Sequence, residues 1–228
     1  KQKELNVQID MYNKLPTPFG LVRGGVAPDH QKIKSVTKVY DKIADNPNFR
    51  FYGHVEFGKD ITYTDLADHY HAVIYAVGAQ TDRALGIKGE DLGGSHPATE
   101  FVGWYNGHPA YRHLQFDLSQ KSAAIIGVGN VAMDVARILA RSQAELMATD
   151  IADYALEALA KSSITEIHIF GRRGPAQAAF TNPEIKELGE MEEADLIIAP
   201  REIMIDPLSR AYLDSPDADK KDVKNVQI

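Results

Sequence analysis

Cysteine is absent from all 228 residues. That excludes disulfides, zinc–thiolate sites, cysteine nucleophiles and thiolate-ligated iron–sulfur clusters, and nothing points to an oxidising compartment. An excess of positive charge is lacking too. The 25 basic and 32 acidic residues leave −7, so no overall basic field exists to hold nucleic acid or an anionic membrane. No apolar run approaches the roughly 20 residues that cross a bilayer, and the first ten residues have no apolar core of the signal-peptide kind. The default expectation is a cytoplasmic protein. Internal repeats and low-complexity tracts are missing. Metal-binding spacing is also missing, since His69 and His71 are the one close histidine pair and lack a third ligand. Ser95, His96 and Glu100 lie close in sequence without a nucleophile elbow, which argues against a hydrolase. What is present is an ordinary globular mixture, 44% hydrophobic and 25% charged, long enough for one large or two small domains.

The patterning predicts an α/β fold. Residues 5–12 alternate as a short strand, and two prolines and a glycine then make residues 15–20 an irregular loop. Ile33, Val36, Val39, Tyr40 and Ile43 recur at helical spacing until Asn46-Pro47. Residues 49–57 and 71–77 read as strands, the second apolar almost throughout, as a strand covered on both faces would be. Six glycines and two prolines between residues 86 and 109 suggest a long connection with one aromatic anchor around Trp104 and Tyr105. Beyond it come a buried strand at 122–126, helices at 131–139 and 151–159, and a strand at 164–170. That succession predicts a right-handed crossover with parallel pairing. A further strand is expected at 195–200, and an exposed loop from 209 to 224.

Gly127-Val-Gly-Asn-Val-Ala132 lies directly after a predicted strand and directly before a predicted helix. In that context Gly127 permits a tight turn, Gly129 lets the backbone approach a pyrophosphate, and Ala132 allows helix to pack closely on strand. Free N–H groups and the helix dipole would face the anion. The alternative is an ordinary strand-to-helix turn. After the next strand stands Gly171-Arg172-Arg173-Gly174, where an acidic residue would select a free ribose 2′-hydroxyl. Two guanidiniums suit a 2′-phosphate and argue for NADP(H) over NAD(H), a solvated surface pair being the alternative.

Five motifs together resemble a known family: Pro18-Phe-Gly-Leu-Val-Arg23, Val26-Ala-Pro-Asp-His30, Phe101-Val-Gly-Trp-Tyr-Asn106, Gly127-Val-Gly-Asn-Val-Ala-Met-Asp-Val-Ala-Arg137 and Gly171-Arg-Arg-Gly-Pro175. They are similar to adrenodoxin reductase and the actinobacterial NADPH:ferredoxin reductases, in order from about residue 7 to residue 200. The resemblance implies a flavoprotein with Rossmann-like FAD and NADP domains, in which NADPH passes hydride to FAD and FAD passes single electrons to a ferredoxin. It assigns Val128, Gly129, Asn130 and Val131 to the NADP pyrophosphate, Arg172 and Arg173 to the 2′-phosphate, and Glu184 to the cofactor. By the same resemblance His30 and Glu187 lie near flavin and nicotinamide, where orientation and proton handling are their implied work. Leu21 and Phe57 match positions whose backbones approach FAD. Asn13 stands where the family usually has a glutamate on the FAD ribose, and it supplies a neutral amide instead. Lys186 matches a basic position used for docking acidic ferredoxins.

The family's first strand and flavin-binding glycine turn should precede Val7, where only six residues stand. The expectation is therefore an internal piece, with a partial FAD-binding domain over residues 1–80 and an NADP-binding domain over 81–228. FAD should be absent or weakly held. Two further readings remain open: the flavoprotein subunit of a glutamate-synthase-like complex, and an NADP(H)-binding module that catalyses nothing by itself.

Overall fold

Two parallel strand pairs organise the described residues, one in each of two units. The computed structural model describes residues 6–79 and 81–227. The first unit comprises the described residues before Ala27 together with His30–Arg83, and the second comprises Ala27–Asp29 and the residues from Ala84 onward.

In the first unit, β1 (Ile9–Asn13) is followed by α1 (Gly20–Gly24), α2 (Gln31–Lys34), α3 (Thr37–Ala44), β2 (Phe49–Gly53) and α4 (Tyr63–His69). The strands pair in parallel from Ile9↔Phe49 to Asn13↔Gly53. That register sets Asp10 opposite Arg50, whose guanidinium grips the carboxylate at 2.6 and 2.9 Å while the Tyr70 hydroxyl donates to the same group at 2.5 Å. Arg50 first and Tyr70 second hold the Asp10 carboxyl below its ordinary value. The helix expected across residues 33–43 is divided into α2 and α3. At the break, the Ser35 hydroxyl donates to the Lys32 carbonyl at 2.6 Å, and the Val36 amide turns to Ile33 instead. Residues 71–77 are not a strand. Among the described residues β1 and β2 pair with each other, leaving this run without a ladder, and Ile74 is 89% exposed.

The second unit runs α5 (Ala98–Tyr105), β3 (Ser122–Ile126), α6 (Asn130–Ala140), α7 (Gln143–Met147), α8 (Asp153–Leu159), β4 (Glu166–Phe170), α9 (Asn182–Gly189), α10 (Pro207–Leu213) and α11 (Lys220–Asn225), with short 3₁₀ turns at Pro175–Gln177 and Pro200–Ile203. Strands β3 and β4 pair in parallel from Ser122↔Glu166 to Ile126↔Phe170, as the crossover expectation requires. Their inner residues pack with Phe101, Trp104, Tyr105, Met133, Ile138, Leu146 and Leu159.

Three sequence expectations fail in this unit. The aromatic segment is a helix, because Gly103 serves packing and not a loop: a Cβ there would lie 2.2 Å from Cδ2 of Tyr111. Residues 195–200 form no strand, for want of a neighbour to pair with, and Ile197 is 88% exposed. The tail is not a loop. Asp206 caps α10 by accepting from the Leu208 and Ser209 amides, and Asp219 caps α11 through the Lys221 amide. No helix among the described residues is long and apolar enough to cross a membrane.

Candidate functional site

The end of the β3–β4 pair carries the glycine turn. Gly127 donates to the Phe170 carbonyl at 2.9 Å, closing the pair, and its φ of +138° is a conformation that favours glycine. Gly129 is the N-cap of α6, an eleven-residue helix, and offers no side chain to cover it. The amides of Val128, Gly129, Asn130 and Val131 therefore donate to no acceptor among the described residues and gather at the positive end of the helix.

The arginine loop leaves β4 directly beside that turn. A Cβ on Gly171 would meet Cγ1 of Val128 at 2.8 Å, so only glycine lets the loop backbone pack this closely on the Val128 side chain. Arg172 and Arg173 follow at once, both exposed and without an ion pair or hydrogen bond among the described residues. Past the 3₁₀ turn, the chain returns over the glycine turn. Ala179 and Phe180 both donate to the Val128 carbonyl at 2.9 Å, and the Thr181 amide donates to Oδ1 of Asn130 at 2.7 Å. Turn, arginine loop and returning strap thus form one connected surface of the second unit.

Helix α6 contributes a buried cation that the sequence analysis did not single out. Arg137 is fully buried. Its Nε donates to Asp29 at 2.5 Å and its Nη2 to Asp134 at 2.7 Å, while Nη1 lies 3.4 Å from Glu184 and 3.6 Å from Glu187. Arg141 adds a bond to Asp29 at 2.9 Å and one to Glu145 at 2.6 Å. Burial pushes the Asp29 carboxyl up, but the bonds and charges of Arg137 and then Arg141 outweigh it and leave the group below the ordinary carboxylate value. The available signal was an arginine between Ala136 and Ile138 on an apolar helix, with Asp134 three residues before it.

Glu184 and Glu187 stand one turn apart on α9 beside this guanidinium, Glu184 buried and Glu187 half-buried. Lys186 on the same helix is exposed and pairs with Glu190 at 3.3 Å. The remaining predicted residues belong to the first unit. His30 precedes α2 as its N-cap, Leu21 lies on α1 and is 79% exposed, and Phe57 is half-exposed with its ring edge-on to Tyr75 at 5.4 Å. Asn13 ends β1, its Oδ1 accepting from the Leu15 amide at 2.9 Å while its amide nitrogen donates to nothing among the described residues.

No family model matches the chain. Curated relatives do. It is 55% identical over 200 residues to the NADPH-ferredoxin reductase FprA of Mycobacterium leprae, covering 88% of this chain and 44% of the relative. It is 45% identical over 214 residues to the mitochondrial NADPH:adrenodoxin oxidoreductase of Arabidopsis thaliana, covering 93% of this chain and 44% of the relative. Among solved structures, Mycobacterium tuberculosis FprA in complex with NADPH superposes with a TM-score of 0.91 at 49% identity, covering 99% of this chain and 49% of that one. The chain spans about half the length of the relatives it matches. Over most of its own length the chain is thus similar to NADPH-ferredoxin reductases and to an NADPH:adrenodoxin oxidoreductase.

Proposed function

We propose that this chain supplies the NADP(H)-binding domain and part of the flavin domain of an oxidoreductase that passes hydride from NADPH to FAD and then single electrons to a ferredoxin. One observation carries the reading: a loop bearing two guanidiniums packs on a turn of amides at a helix N-terminus, and neither guanidiniums nor amides have a partner among the described residues. The Val128–Val131 amides hold the pyrophosphate, aided by the α6 dipole. Arg172 and Arg173 hold the 2′-phosphate, each charge-assisted bond contributing about 1.5–3 kcal/mol. The second unit is then the NADP domain and the first the flavin part.

The residues of the first unit suit a flavin. Leu21 and Phe57 present apolar surface, and Asn13 keeps amide donors free for a ribose hydroxyl. When bound, FAD supplies a two-electron acceptor that can release its electrons one at a time. Glu184 and Glu187, fixed by Arg137, orient the nicotinamide half of the cofactor. The partner is an iron–sulfur protein of the ferredoxin class, as the relatives' names indicate for them.

A second reading, the NADP(H) module without redox activity, draws support from the placement of turn, loop and strap within one unit. Flavin absorption separates the two. A yellow preparation bleached by NADPH supports the oxidoreductase, and a colourless one that still binds NADPH supports the module. The nucleotide assignment is tested by the Arg172→Ala/Arg173→Ala double variant. NADPH binding should fall at least a hundredfold, the equivalent of about 2.7 kcal/mol, with NADH binding unchanged. Equal loss for both nucleotides would sink it.

A further inference from the structure

The strap behind the arginine loop is held from two sides. On one side the Ala179, Phe180 and Thr181 amides are all committed to the glycine turn. On the other, its carbonyls face the C-terminal helices: Nδ2 of Asn225 donates to the Ala178 carbonyl at 3.0 Å, and Nζ of Lys221 donates to the Ala179 carbonyl at 3.2 Å. One residue earlier, Nε2 of Gln177 donates to the Ser209 hydroxyl of α10 at 3.0 Å. Every residue from 177 to 181 is thus tied to something outside the strap.

Asn225 is buried, and its Oδ1 has no partner among the described residues. A buried amide oxygen left unpaired costs stability that an apolar side chain of similar size would avoid. What the asparagine supplies, and leucine could not, is the bond to Ala178. The effect of that bond travels only a short way. Arg172 and Arg173 sit in a loop fixed in front by β4 and by the Gly171–Val128 contact, and fixed behind by this strap. The covalent length of a nucleotide sets the spacing between pyrophosphate and 2′-phosphate, so turn and guanidiniums must keep a matching spacing.

We propose that Asn225, seconded by Lys221, is a positioning residue for nucleotide selection, with α11 fixing the strap and so the distance between the glycine turn and the arginine pair. This rests on the NADP(H) reading above. Releasing α11 loosens the rear of the arginine loop and leaves the turn's own amides on β3 and α6 untouched. The loss therefore falls on the nucleotide that carries a 2′-phosphate.

The test uses the full-length protein and calorimetric dissociation constants for NADP+ and NAD+. Asn225→Leu should weaken NADP+ about tenfold, in line with what sub-ångström misplacement costs a positioned contact, and leave NAD+ within about twofold. Lys221→Met, on the exposed face, should show the same selectivity at about threefold. In the Arg172→Ala/Arg173→Ala background neither change should alter NADP+ binding further. Equal weakening of both nucleotides, or unchanged NADP+ binding, overturns the inference; should Asn225→Leu fail to fold, Lys221→Met decides alone. If the arginine double variant keeps its preference for NADP+, the NADP(H) reading itself falls. If that preference is lost and α11 proves indifferent, only the positioning role falls.

Discussion

Arg137 shows how much can hang on one side chain. Asp29, Asp134, Glu184 and Glu187 surround a guanidinium with no exposed surface, so removing the cation strands carboxylates in the protein interior. Breaking such a buried pair from one side costs about 3–5 kcal/mol, and Arg137→Met should lower the urea midpoint accordingly at neutral pH. The pH dependence has a definite sign. The Asp29 carboxyl lies lower in the folded protein than in the unfolded chain, so its contribution is complete above the ordinary carboxylate range and is lost as pH falls through the folded value. The gap between wild type and Arg137→Met should therefore narrow below about pH 4, and a gap that stayed constant with pH would refute the Asp29 account. Gly171 makes the complementary case, in which the missing atom matters. Gly171→Ala places a methyl 2.8 Å from Cγ1 of Val128, a stiff β-branched side chain that cannot swing aside. The expected cost is about 1–3 kcal/mol in denaturant titration, with the arginine loop pushed outward and NADPH bound more weakly. Unchanged stability and affinity would mean that loop and turn are not in close contact.

Elements were legible where a single segment carried its own signal. β3, α6, α8 and β4 stand within two residues of their sequence readings, because a short apolar run or a helical stripe bounded by glycine or charge specifies each locally. The same holds for the glycine turn and the arginine loop, whose meeting follows from parallel pairing of the strands that precede them. What escaped the reading depends on partners far along the chain. Whether residues 71–77 or 195–200 pair cannot be read from their own composition, and Gly103 looks like a loop glycine until the Tyr111 ring is placed against it. Arg137 meets Asp29 across 108 residues, and Asn225 reaches Ala178 across 47, distances over which sequence periodicity says nothing. The short helix α7 was missed for a different reason. Its five residues are too few for a stripe, and its signature is the reciprocal cap between Ser142 and Glu145. Ser142→Ala should cost about 1 kcal/mol, a fall of roughly 2–4 °C in melting temperature. A variant that melts with the wild type would show that α7 is held by packing alone.

For the whole molecule, the division into two units gives a way to hear one without the other. The single tryptophan, Trp104, belongs to the second unit, where it stacks on Phe101, meets Phe116 edge-on and lends its carbonyl to the Tyr154 hydroxyl at 2.7 Å. Its emission on heating therefore follows loss of the core beneath the glycine turn and arginine loop. A ligand that binds only the folded form adds RT ln(1 + [L]/Kd), about 2.7 kcal/mol at a hundredfold excess over Kd. For NADP+ that should raise the tryptophan-detected midpoint by roughly 5–10 °C. NAD+ at the same concentration reaches the turn amides but leaves Arg172 and Arg173 unengaged, so its shift should be a small fraction of this. In the Arg172→Ala/Arg173→Ala variant the two nucleotides should become equal, both giving the smaller shift. If instead both move the wild-type midpoint alike, the guanidiniums stand beside the turn without serving it, and nucleotide choice is made elsewhere in the protein.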